Sequence, residues 1–261
     1  MKKQIFLSIL LIASLFIFSA SSCSKAPQGS GTIIFTANGE DFVREGFVEK
    51  NGWHVSFDKV YVNIVNPTAY NSEGLKSILK GAFFTDLAEG DKDADPIVVG
   101  KNEKVPHGNY QSLKFSIKRA KSGEFKGYSI VITGTAKKGE ETVNFTIKLD
   151  EEIDFDGKEG FVGDEVKGLL AENGETTVEM TFHFDHIFGD REAAADSHIN
   201  TGSVGFDFFN AYTKDGVLDI SQDKLKEDAD YPKLVKTFTS LGHLGEGHCE
   251  ASNMTSASYL K

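Results

Sequence analysis

Trp53-His54-Val55-Ser56-Phe57-Asp58-Lys59-Val60-Tyr61-Val62-Asn63-Ile64 is the stretch on which the fold turns. Trp53, Val55 and Phe57 fall on one side of an extended chain and His54 and Ser56 on the other, because side chains alternate across a strand with a period of two. After Asp58-Lys59 the apolar side shifts to Val60, Val62 and Ile64. A slip of one residue inverts the two faces, so a bulge or a change of sheet is expected at Asp58-Lys59.

The same alternation recurs on either side of this segment. Thr32 to Thr36 is a short β-branched run; Leu113, Phe115 and Ile117 alternate with Lys114, Ser116 and Lys118; Val178, Met180, Phe182 and Phe184 alternate with Glu179, Thr181, His183 and Asp185. Gly139 stands between Tyr128–Thr135 and Glu141–Leu149 as the tip of a hairpin. Strands with one apolar and one polar face belong to antiparallel sheets with a wet side. The expectation is a mainly β protein, an antiparallel β-sandwich. From Phe188 to Asp219 the sequence becomes Gly- and Asp-rich, which reads as a loop-rich C-terminal third. One short helix is expected: Asp230 caps it, Pro232 suits its first turn, Leu234, Val235, Phe238 and Leu241 repeat at helical spacing, and Gly242 stops it.

The chain of 261 residues has ample material for one large β domain. With 28 Lys and Arg against 39 Asp and Glu, its net charge of −11 argues against nucleic acid or an anionic lipid surface held by charge. Residues 1–22 read as an export signal, with Lys2 and Lys3 ahead of an apolar run from Ile5 to Phe18. That run is too short for a permanent span and right for a signal core. It leads into Ala20-Ser21-Ser22-Cys23, which resembles the lipobox of bacterial lipoproteins, in which the cysteine becomes the lipidated first residue. The resemblance implies acylation of Cys23 and membrane attachment through this anchor. Ser24 stands where an Asp would resemble the inner-membrane retention signal, so an outer-membrane lipoprotein facing the periplasm or the surface is expected. Residues 23–31 read as a polar tether and 32–261 as one domain. The alternation of Trp53 to Val65, with Pro106-His107-Gly108-Asn109-Tyr110 leading into the Leu113 strand, resembles uncharacterised β-sandwich domains of bacterial lipoproteins, from which no functional residue is carried over.

Five of the seven histidines follow residue 182, four of them in two groups and His198 between. Phe182-His183-Phe184-Asp185-His186 places His183 and Asp185 on the polar face of a strand, about 6–7 Å apart. Gly242-His243-Leu244-Gly245-Glu246-Gly247-His248-Cys249 gathers two imidazoles, a carboxylate and a thiol on a glycine-rich loop free to wrap around an ion. Imidazole nitrogen and cysteine sulfur suit zinc and copper, and with Cys23 acylated the odd thiol, Cys249, fits as a metal-bound thiolate. The expected cofactor is therefore a zinc or copper ion held by His183, Asp185, His186, His243, His248 and Cys249, with Asp190 or His198 as further donors. Each residue also has a plainer reading: a solvated strand face, a satisfied imidazole, a helix stop, a buried small hydrophobe.

Other patterns carry less. Asp91-Lys92-Asp93-Ala94-Asp95 alternates oxygen donors, yet Pro96 and Asn102 stand where a calcium-binding EF-hand loop wants Gly and Glu, and the acids of Asp150 to Glu165 read as solvated loop. No phosphate loop, nucleophile elbow or paired-His helix motif is present, so catalysis is not expected. The alternative to a metal-binding lipoprotein is a surface module for a protein or glycan, using Phe206, Phe208, Phe209 and Tyr212 as exposed contacts.

Overall fold

The structure, a computed structural model, describes residues 29–158, 160 and 167–260. The export signal, Cys23, most of the tether and the acids between Glu159 and Glu165 lie outside the described residues.

In chain order the strands are β1 (Ser30–Asn38), β2 (Phe47–Val48), β3 (His54–Tyr70), β4 (Lys76–Ile78), β5 (Ala82–Asp86), β6 (Ile97–Pro106), β7 (Gly108–Asn109), β8 (Ser112–Ile117), β9 (Ile130–Lys138), β10 (Glu141–Leu149), β11 (Ile153–Gly157), β12 (Leu169–Leu170), β13 (Glu175–Phe182), β14 (Val217–Ser221), β15 (Gly242–Leu244), β16 (Gly247–His248) and β17 (Glu250–Ser252). One sheet has the order β16-β15-β13-β1-β6. The larger has the order β14-β10-β9-β3-β8-β11-β17, with β2, β4 and β5 also paired to β3, and β7 pairs with β12 apart from both. The protein is thus mainly β and sandwich-like.

The face switch in the long strand is present where the side chains demand it: β3 and β9 lose one step of register between Phe57 and Lys59, the bulge that turns Val55 and Val60 to the same buried side. The Gly139 hairpin also forms, with Lys138 opposite Glu141 and a positive φ of 59° at Gly139. Leu113, Phe115, Ile117, Phe155, Phe182 and Phe35 fill the space between the sheets, where Phe115 of β8 meets Phe182 of β13 edge-on at 5.5 Å. Tyr110, buried below Pro106, donates its hydroxyl to that proline's carbonyl at 2.9 Å and fixes the corner into β8.

Three expectations are corrected. The sandwich is not purely antiparallel, since β1 runs parallel to β13 and β10 parallel to β14; alternation reports which face is buried and not the direction of the neighbour. The tether ends earlier, because Ser30 and Gly31 already pair with Pro106 and Val105 of β6. The C-terminal third is only partly loop. Besides α1 (Asp41–Glu45), it contributes α2 (Asp185–Phe188), α3 (His198–Gly202), α4 (Phe206–Asn210), α5 (Gln222–Leu225) and α6 (Tyr231–Phe238). Helices of four or five residues give too little periodicity to be read from sequence. Only α6 was legible, and it ends at Phe238, so that Gly242 opens β15 instead of stopping the helix.

Those short helices pack their aromatics inward. Phe206 lies 5.1 Å from Trp53 and 5.4 Å from Phe145, and Phe209 lies 5.8 Å from Phe188. Phe206, Phe208 and Phe209 are buried and Tyr212 half-buried, its hydroxyl donating to Asp228 at 2.8 Å. The expected exposed aromatic contacts are therefore part of the one hydrophobic core, with Tyr212 packed against it. Glu49 ties this core together: its buried carboxylate accepts from the backbone N–H of Asn51, Trp53 and Phe206 at 2.8–3.0 Å.

Candidate metal centre

Phe182, Phe184, Ile187 and Phe188 all face the core, which leaves His183, Asp185 and His186 to the other side. The strand does not continue through Asp185 as expected. The His183 N–H still donates to Leu241, but the chain then turns, His186 N–H donating to the His183 carbonyl, into α2. Residues three apart on such a turn share a face. His183 and His186 consequently stand side by side, their ring centroids 6.0 Å apart.

The second group arrives as a hairpin, not as an open loop. β15 lies against β13 with His243 opposite Thr181, and β16 folds back so that His248 is opposite His243. The two-residue turn is Gly245-Glu246, with φ 61° at Gly245, the first central position, where this kind of hairpin turn calls for glycine. Gly242 lets the hairpin sit close: a Cβ there would be 2.7 Å from the ring of Phe155. His243 then stacks on His183 at 3.9 Å, lies 5.5 Å from His186, and has His248 at 4.2 Å. Among the described residues His183, His186 and His243 each offer a ligand atom, all within 4.8 Å of one another. His248 is exposed and covers the group from outside, 5.4 Å from His186.

The hydrogen bonds leave this group unfinished. His243 Nε2 lies 3.1 Å from the Ser240 carbonyl. A carbonyl only accepts, so Nε2 carries the proton and Nδ1 presents a lone pair. That Nδ1 is buried without a partner, as are Nε2 of His183 and the Thr181 hydroxyl, which shares the strand face of His183. Burial, reinforced by the neighbouring imidazoles, lowers His183 and His186 to about 4 and His243 to about 3, so all three are neutral at pH 7.

Carboxylates ring these neutral bases. Asp185 stands 3.9 Å from His183 Nδ1, raised to about 6 by burial and then by the charge of Asp190. It accepts from the His186 N–H and stands beside the three-histidine group, outside it. Glu40, between β1 and α1, was not anticipated from the sequence. Its Oε1 is 3.6 Å from His183 Nε2, and burial raises its pKa, with Glu246, Glu179, Asp41 and Asp185 adding to the effect. Glu40 has φ 64° and ψ 167°, backbone territory that is nearly glycine's alone and costs other residues about 1–3 kcal/mol. No spacing rule joins residue 40 to residue 183; only the parallel pairing of β1 with β13 does.

Cys249 does not join the site. It follows His248 on an extended chain and so projects the other way. Its side chain is buried beside Gly157, where a Cβ would lie 3.4 Å from its Sγ, and burial, with the Asp156 charge, pushes the thiol up to about 12. The expected thiolate ligand is a protonated core residue. The further donors fail as well. Asp190 accepts from the Glu192 N–H at 2.8 Å, and exposed His198 opens α3 outside the group. The Asp91–Asp95 run is pinned through its main chain, Arg44 donating to the carbonyls of Glu89, Ala94 and Asp95.

Buried, neutral, under-bonded imidazoles beside acids form an arrangement with the donor chemistry to hold a cation. Compared with models of protein families, with curated proteins and with solved structures, the chain matches none.

Proposed function

We propose that this is a lipid-anchored envelope protein that binds one transition-metal ion, zinc or copper, through His183, His186 and His243, with exposed His248 covering the group from outside, for capture or hand-over of the ion. The observation that carries the reading is the pair of buried, unpartnered nitrogens, His183 Nε2 and His243 Nδ1, inside a group whose donors lie within 4.8 Å. Leaving such atoms unpaired is costly, and an ion with imidazole affinity removes the cost. The lipobox-like Ala20-Ser21-Ser22-Cys23 supports attachment to the outer membrane, and the acidic charge favours cations over polyanions near the surface. The three histidines come from two remote segments, as a site made by folding requires.

Metal analysis of the purified protein tests it. One equivalent of zinc or copper is expected to survive dialysis, and the His183→Ala plus His243→Ala double variant is expected to hold less than about a tenth of that. Equal metal content in the two proteins rejects the assignment.

A further inference from the structure

We infer that Glu40 is the carboxylate ligand of this centre, which makes it a three-histidine, one-carboxylate site selecting a divalent ion of the zinc class over copper(I). The inference rests on the metal-binding reading above and deepens it by naming a further ligand and the class of ion.

Three features of Glu40 point the same way. The first is distance. At 3.6 Å, Oε1 and His183 Nε2 are too far apart for a hydrogen bond. Two donors each about 2.0–2.1 Å from one ion, at a near-tetrahedral angle, lie roughly 3.3–3.5 Å from each other. The gap to His183 is that of two donors sharing a cation, and Glu40, outside the 4.8 Å group in this structure, would have to turn its 34% exposed side chain inward to reach the other two histidines.

The second feature is the backbone. Gly46, Gly189 and Gly205 have φ of 76–79° and ψ of 168–170°, nearly the angles of Glu40, and each of the three is glycine. At position 40 a glutamate stands in the same conformation, its N–H held by the Asn38 side chain at 3.1 Å. A strained backbone kept for the sake of a side chain is a feature of ligand clamps. The third feature is charge. Glu246, Glu179, Asp41 and Asp185 all disfavour a charge on Glu40, and a dication would reverse that repulsion.

The donor set decides the class of ion. Imidazole and carboxylate suit divalent zinc, whereas copper(I) is selected by soft sulfur, and the Cys249 sulfur is in the core on the far side of the hairpin. Removing a hard oxygen donor should weaken zinc and leave copper(I) almost untouched.

Competition titrations of Zn²⁺ and Cu⁺ on the full chain, with Glu40→Gly and Glu40→Gln, test this, alongside urea unfolding of the metal-free proteins. Both variants are expected to lose about tenfold or more in zinc affinity and less than about threefold in copper(I) affinity. Glu40→Gly, relieved of its backbone strain, should also unfold at higher urea than the wild type. Unchanged zinc affinity in both variants overturns the inference and leaves the three-histidine reading standing. Equal losses for zinc and copper(I) overturn it too, since Glu40 would then act only through the fold. A wild type that binds neither ion overturns the metal reading itself and this inference with it.

Discussion

His183, His186 and His243 titrate far below an ordinary imidazole because burial opposes their charge and each opposes the next. The unfolded chain takes up protons on these side chains near pH 6.5, while the folded site refuses them until about 4. Between those values the unfolded state binds more protons, so the metal-free protein loses stability as the pH falls from 6.5 towards 4. Asp185, raised to about 6, and Glu40 work in the opposite direction, since the folded state holds their protons first. Three imidazoles outweigh two carboxylates, and the net sign stays with the histidines. The same shifts would govern an ion bound here, which competes with protons only where the imidazoles accept them. Zinc affinity should therefore drop by no more than about fivefold from pH 7.5 to 5.5 and steeply below about 5. A surface trio with ordinary pKa values would lose about a thousandfold over the first interval, roughly tenfold for each imidazole. A loss of that size in a pH series of titrations would show that the imidazoles are not buried together as described.

The site exists because a short element can be placed very close to a sheet. Gly242 is the point of closest approach: a Cβ there would press on Cγ and Cδ1 of Phe155, itself buried between Phe115 and the β15–β16 hairpin. Gly242→Ala should cost about 1–3 kcal/mol by overpacking. Because the displaced strand carries His243, it should also weaken zinc binding by about tenfold, where an unrelated core substitution of equal cost would not. Urea unfolding read beside zinc titration separates the two effects, and unaltered zinc affinity would mean that the hairpin position does not set the site. The contrast between hairpin and strand also explains what the sequence discloses. The Asp58-Lys59 bulge and the Gly139 turn follow from residues adjacent in the chain, and both are legible. His183 and His186 are likewise visible as a pair. The meeting of His183 with His243, the entry of Glu40 and the retreat of Cys249 into the core depend on pairing between distant strands, for which alternation supplies no address.

Over the whole molecule, the candidate ligands come from three places: the end of β1, the exit of β13 and the C-terminal hairpin. β13 lies between β1 and β15 in one sheet, so an ion at this site would tie the first strand of the domain to one of its last elements. Most of that connection disappears on unfolding, because the donors are then separated by long stretches of chain. An ion that binds the folded state and hardly binds the unfolded one adds about 2.7 kcal/mol at a free concentration a hundred times its dissociation constant. For a domain of this size each kcal/mol raises the midpoint by about 2–4 °C, so a rise of roughly 5–10 °C is expected with zinc. Differential scanning calorimetry with and without zinc measures it, with His183→Ala plus His243→Ala as the control in which the rise should vanish. A rise that persisted in the control would place the ion elsewhere. The opposite result, metal bound at the histidines with no rise in midpoint, would mean that the unfolded chain binds the ion about as tightly as the folded one, and that the site does not depend on bringing β13 and the hairpin together.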